Sequence, residues 1–223
     1  LEQRVEELHA MLTTLLGEQE GVEKPPTLVE PEAAPEAVRE EEEEVIWVEE
    51  DPLEIQYQLT LSWAINERVD DLSGFDLSGR DLHNVDLKDA NLTGADLSRS
   101  ILTAAKMQRA NLTEVDLRKA QAMRADLARA NLAEANCEYA NFSYAKMESA
   151  ELRYANLTRA NLTGANLSKA DLSGARLDRA NLTRANLRGA HITYRQLAAV
   201  STLEGATMPD GRPYDDDPEP YKV

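Results

Sequence analysis

The sequence predicts an all-β solenoid, and three observations carry that reading. An apolar residue recurs every five residues from Leu72 to Ile192, giving 25 units without an insertion, with Leu at the centre of 19 of them. Two residues before each centre, 19 of 25 positions are Ala, including every one from Ala120 to Ala190. One residue before each centre, 18 of 25 positions are Asn or Asp, and the two residues after it are mostly Ser, Thr, Gly, Arg or Lys. The central exceptions are Met107, Ala122, Cys137, Phe142, Met147 and Ile192.

A period of five excludes both straight elements. Five residues of α-helix advance about 500°, or about 140° net, so successive leucines would scatter around the axis. A straight strand alternates its side chains, so an odd period sends each leucine to the opposite face. All the leucines share one side only if the chain turns once per unit. Ala and Leu favour helix, but Asn, Asp, Ser, Thr and Gly suit turns. A short extended stretch then points the Ala and the central Leu inward and the Asn or Asp between them outward. Repeated turns of one hand wind the chain into a coil whose layers hydrogen-bond at about 4.8 Å.

The unit A-(N/D)-L-(S/T)-x, clean in residues 160–169 as A-N-L-T-G-A-N-L-S-K, closely resembles the pentapeptide-repeat family over about 125 of 223 residues. The resemblance implies a right-handed quadrilateral β-helix with four units per coil. Twenty-five units then make a little over six coils, about 30 Å long at the strand spacing. Residues 20 apart should stack. On that register Ala122 lies beneath Phe142, the smallest central residue under the largest, which keeps the core filled. Met107 and Met147 share another column, where a flexible thioether suits irregular gaps.

The ends break the pattern. Phe75 and Arg80 stand where Ala is usual, marking an irregular first coil. Stacked coils expose edges that need covering. Residues 53–69 are apolar again. Leu53, Ile55, Tyr57, Leu59, Leu61 and Trp63 alternate as in a strand, but Asp51-Pro52 is a good helix start. We read this segment as a helical N-terminal cap. Beyond Ile192, Thr193 can cap a short helix near 194–200. Leu203 and Met208, five apart in T-L-E-G-A-T-M-P-D-G, then resume the repeat, so the β-helix is expected over 70–208. Residues 209–223 read as a loose acidic tail. Residues 1–20 carry Leu1, Val5, Leu8, Leu12 and Leu15 at coiled-coil spacing, giving an amphipathic helix and a route to a homo-oligomer. Residues 21–52 hold Pro25, Pro26, Pro31 and Pro35 and the run Glu40 to Glu44, the composition of a disordered linker.

Charge follows the same division. The net charge is −17, yet residues 1–69 hold 19 acids and 4 bases while residues 70–200 hold 16 acids and 18 bases. The repeats are therefore nearly neutral. That weighs against mimicry of DNA, which the resemblance raises because some family members bind DNA gyrase in that way. It also gives no reason to expect nucleic acid as a ligand.

No catalytic constellation, metal-ligand spacing or phosphate-binding loop appears, so no cofactor and no enzymatic activity are expected. Cys137 is the one cysteine, at an inward position that suits a small buried residue. His9, His83 and His191 are scattered. No apolar run reaches membrane-spanning length, and a cytoplasmic bacterial protein is the expectation. The chain begins at Leu1 rather than Met, which leaves room for an upstream segment.

Function then rests on the outer surface, and a scaffold or interaction module with a protein partner is the leading expectation. Four units per coil place Arg99, Lys119, Tyr139, Arg159 and Arg179 on one vertical ladder. A second ladder holds Arg109, Arg129 and Lys169. Asp96 and Asp116 are expected to neutralise part of the first. Tyr139, Tyr144 and Tyr154 fall within one coil's length at outward positions, as interface anchors or as side chains stacked on neighbours.

Overall fold

The computed structural model describes residues 71–214. The chain divides into two units, 1–69 and 70–223, and the described residues all fall in the second. The expectations for residues 1–20, 21–52, 53–69 and the last nine residues lie outside the described residues.

Each unit repeats one local structure. Its first residue makes a β-bridge, its second is the central apolar residue, its third and fourth form a turn, and its fifth is the Ala position. The amide of the fifth residue donates to the carbonyl of the second, as in Ala95 to Leu92 at 3.0 Å and Ala165 to Leu162 at 3.0 Å. The fourth residue lies in the left-handed region, with φ near +60° from Asn84 (58°) to Arg184 (57°). This is the arrangement of a type II turn, in which the third turn residue has positive φ. Eighteen of these positions carry residues other than Gly. Each such residue costs about 1 kcal/mol or more against Gly, so the ladder and core must offset a distributed strain.

The first-position Asn and Asp help to close the turn. Their side-chain oxygens accept the amide two residues on, as in Asp76 from Ser78 at 3.0 Å and Asn131 from Ala133 at 3.0 Å. Asn has a further use, because its amide also donates. Asn186 donates to Asn166 at 3.1 Å, and Asn161 to Asn141 at 3.3 Å, one layer below. An aspartate cannot continue such a ladder, since a carboxylate only accepts.

The layers are joined by parallel bridges between residues 20 apart, running from Asp71↔Asn91 to Asp171↔His191. Twenty residues are four units, so four columns of central residues line the interior. Column 1 begins at Leu72, column 2 at Leu77, column 3 at Leu82 and column 4 at Leu87. Their outer sides are faces 1 to 4. From Leu92 to Leu187 every central residue, the two methionines and Cys137 included, is essentially buried. The bridge Gln121↔Asn141 sets Ala122 and Phe142 on successive layers of column 3, both fully buried.

The pattern yields once, where helix α1, Tyr194–Ala199, replaces a unit of face 2. Thr193 and Gln196 form a reciprocal capping box, the motif that fixes a helix start. Gln196 also donates to the carbonyls of Leu172 at 2.6 Å and Ala175 at 2.9 Å, tying α1 to the layer before it. Leu197 is its buried residue. The helix adds one residue to the coil, so the bridges above it join residues 21 apart, Asn181↔Thr202 and Asn186↔Thr207. Leu203 and Met208 return to the core, as the five-residue spacing predicts.

Candidate interaction surface

With the core filled by aliphatic side chains, the chemistry of the described residues lies on the four outer faces. Faces are compared over positions 1, 3 and 4 of their units. Face 1 carries Asp71, Glu114, Glu134, Glu151 and Asp171 against Arg153. Face 4 is the basic one, with Lys88, Arg129, Lys169 and Arg188 beyond its ion pairs Lys106–Asp86, Arg109–Asp89 and Lys146–Asp126.

Arg99, Lys119, Tyr139, Arg159 and Arg179 occupy the fourth position of successive units of face 2, all with positive φ. They form the vertical ladder that the sequence predicts, along the corner between faces 2 and 3. Arg159 lies over Tyr139, its guanidinium 5.3 Å from the ring centroid and its Nη1 donating to the phenol oxygen. Lower on the same corner, Arg99 and Lys119 project beside Ser78, Gly79, Ser98 and Arg118 around a shallow cleft of about 280 Å³. Neither Arg99 nor Lys119 forms an ion pair among the described residues.

One expectation for this ladder is corrected. Asp116 does not neutralise it. Its carboxylate accepts from Arg118 Nε at 3.0 and 2.8 Å within its own unit, and Asp96 accepts the Ser98 amide at 2.8 Å. Burial pushes the Asp116 carboxyl up, but the hydrogen bonds and charge of Arg118 outweigh burial and hold it below the usual carboxylate range. In this unit, as in Glu151–Arg153, the turn folds the position 3 side chain back over the acid at position 1, whereas Asp86 and Asp126 pair with the lysine one layer on. The second ladder is likewise divided, since Arg109 is held by Asp89 at 2.6 Å.

The three tyrosines are close in sequence but not in one patch. Each stands at a different corner and leans onto the residue 20 positions later. The Tyr144 ring covers Gly164, where an added Cβ would lie 2.7 Å from it, and the Tyr154 ring covers Gly174 at 2.5 Å. Tyr139 packs against Arg159. Of the two roles raised for them, stacking on neighbours is the one seen. Their outer sides stay exposed, 43% for Tyr139, 58% for Tyr144 and 70% for Tyr154.

Two exposed apolar residues that the repeat pattern does not single out, Ile101 and Met123, both stand on face 3. The signal was available. Ile101 stands where Asn or Asp is usual, and Met123 where Ser or Thr is usual.

Cys137 is fully buried, and burial, with a smaller contribution from the Asp116 charge, pushes its thiol up to about 12. A thiol held protonated in this way is a poor nucleophile. No group of residues suited to a metal ion occurs among the described residues. None of their helices is long and apolar enough to cross a membrane.

Comparison with known proteins agrees with the period. The family description "Pentapeptide repeats" matches residues 81–119, 123–159 and 155–193, with eight copies. No curated protein matches the chain. Among solved structures, HetL, a pentapeptide repeat protein involved in heterocyst differentiation regulation from the cyanobacterium Nostoc sp. strain PCC 7120, is 34% identical. That match covers 65% of this chain and 72% of HetL, with a TM-score of 0.39. Rfr23 from the cyanobacterium Cyanothece 51142 is 26% identical over 58% of this chain and 93% of its own, with a TM-score of 0.29. Full-length QnrB1, a plasmid-mediated fluoroquinolone resistance protein, is 23% identical over 62% and 79%, with a TM-score of 0.24. The chain belongs to the pentapeptide-repeat family, whose fold is the right-handed β-helix solenoid.

Proposed function

We propose that the chain is a non-enzymatic scaffold or protein-interaction module, whose rigid solenoid of about six coils presents side chains to a protein partner. Pentapeptide-repeat proteins are generally structural or interaction modules. The observation that carries the reading is the lower part of the corner between faces 2 and 3. There Arg99 and Lys119 project from a hydrogen-bonded backbone, beside a cleft and without ion-pair partners among the described residues. Cations so placed suit acidic side chains of a partner, and exchanging water for a carboxylate there strands no existing pair. Tyr139 and Arg159, stacked higher on the same corner, offer an amphipathic continuation. DNA mimicry has less support, because it needs an acidic surface and the repeats are nearly neutral.

Affinity capture from the source cells, with the chain and its Arg99→Ala/Lys119→Ala variant compared by mass spectrometry, tests this. The reading expects at least one acidic protein to be recovered with the chain and lost with the variant. Recovery of the same proteins with both would remove the corner from the account.

A further inference from the structure

Face 3 differs from the other three faces in chemistry. Over positions 1, 3 and 4 of its units from 81 to 184, only Asp81, Arg124 and Arg184 carry formal charge. By the same count face 1 carries 6 charged residues, face 2 carries 11 and face 4 carries 11. The rest of face 3 is mostly Asn, Gln, Ser and Thr, interrupted by three large exposed apolar side chains.

Those three are arranged. Ile101 holds the first position of its unit, Met123 the third position one layer up, and Tyr144 the fourth position two layers up. They make an apolar diagonal across the middle of the face, with exposures of 42%, 38% and 58%. Ile101 also forgoes a local hydrogen bond. Asn or Asp at its position accepts the amide two residues on, as Asn141 does from Ser143 at 3.1 Å in the same column, and an isoleucine cannot.

We propose that face 3 is a self-association surface, on which a second copy of this chain packs by the same face. The charge distribution argues for that occupant. A chain of net charge −17 repels its own copies, so two copies meet at least cost on the face with the fewest charges. Only Asp81, Arg124 and Arg184 are charged there, and Arg124, beside Met123, is the one the contact must leave at its solvated edge. Amide and hydroxyl side chains both donate and accept, so a face rich in them complements itself. A two-fold axis through Met123, lying in the contact plane across the diagonal, sets Met123 on Met123 and Ile101 against Tyr144 of the other copy. That is the self-matching pattern a two-fold contact needs. Size sets the strength. A face about 30 Å long and about 13 Å wide falls below the roughly 800 Å² per partner of a stable complex. The contact is therefore of the small, transient class, weak and reversible.

Sedimentation of the full chain over a wide concentration range, at about 50 mM and about 500 mM salt, tests the proposal. The double variant Ile101→Asn/Met123→Thr is the comparison. It restores the residue types of neighbouring units, so the fold is retained. The wild type should show a mass that rises with concentration and rises further at high salt, because screening relieves the repulsion of the acidic segments. The double variant should associate at least about tenfold more weakly, about 1.4 kcal/mol. A wild type with no concentration-dependent step overturns the proposal. So does equal association by the variant, which would assign the contact to another segment. Weakening at high salt also overturns it, since that is the behaviour of a charged contact.

Discussion

The inward and outward columns of this solenoid share one backbone and follow opposite rules. Inside, the four central columns admit Leu with six exceptions over 25 units, and five of the six are fully buried, Ile192 in the last coil being half-buried. Outside, the turn positions admit Tyr, Arg, Glu, Lys and Ser, even where a left-handed backbone disfavours all of them. The interior repeats because every layer must fill the same cross-section. The exterior has only to close a turn, which leaves its side chains free to vary.

The largest break in that comparison should come from column 3. Phe142→Ala should cost about 3–5 kcal/mol in denaturant unfolding, because it opens a cavity directly above Ala122. The double variant Ala122→Leu/Phe142→Leu restores the common unit and should cost less than about 1.5 kcal/mol. Additive, large losses in both single changes and the double would show that the two residues do not share space.

Smaller effects should separate two kinds of outer glycine. Gly164→Ala meets both a positive φ of 65° and the Tyr144 ring at 2.7 Å, whereas an Ala at Gly79, φ 66°, meets nothing within 4 Å. The backbone penalty, about 1 kcal/mol, is common to both. Gly164→Ala should therefore cost more, and Tyr144→Ala should bring it down to the Gly79→Ala value. Equal unfolding midpoints for the two glycine variants would show that the tyrosine ring moves aside freely.

The smallest effect is electrostatic. The side-chain hydrogen bond from His83 holds the Asp81 carboxyl below its ordinary 3.8, and that from Ser173 does the same for Asp171. With Asp116 also lowered, these carboxylates contribute stability above pH 3.8 that is lost as pH falls through their folded-state values. The thiol of Cys137 acts at the other extreme. Its value is raised from 9.0 to about 12, so stability should decline as pH climbs between those values. Acid and alkaline titrations monitored by unfolding midpoint check both signs. At neutral pH a thiol reagent should label Cys137 only after unfolding.

Much of the fold was legible because repetition averages out local ambiguity. One A-N-L-T-G is consistent with many structures, but 25 in register are not. Thr193 announced α1 as a cap residue, and the structure adds the return bond to Gln196. Less was legible outside. Left-handed turns occupied by Tyr144 or Glu134 run against backbone preference, and only the ladder of the neighbouring layers imposes them. The pairing of Asp116 with Arg118 depends on how the turn folds one side chain back, which the 20-residue register does not encode. The apolar diagonal needed three layers to be placed over one another before Ile101, Met123 and Tyr144 formed a line.

On the function proposed above, the interior fixes the fold while the exterior engages the partner. Measuring unfolding midpoint and partner capture side by side on Arg99→Ala/Lys119→Ala tests it most directly. The prediction is a midpoint shifted by no more than about 0.5 kcal/mol, as for surface positions generally, together with loss of the captured protein. An unchanged midpoint with capture intact, or capture lost only because the protein has unfolded, would contradict it.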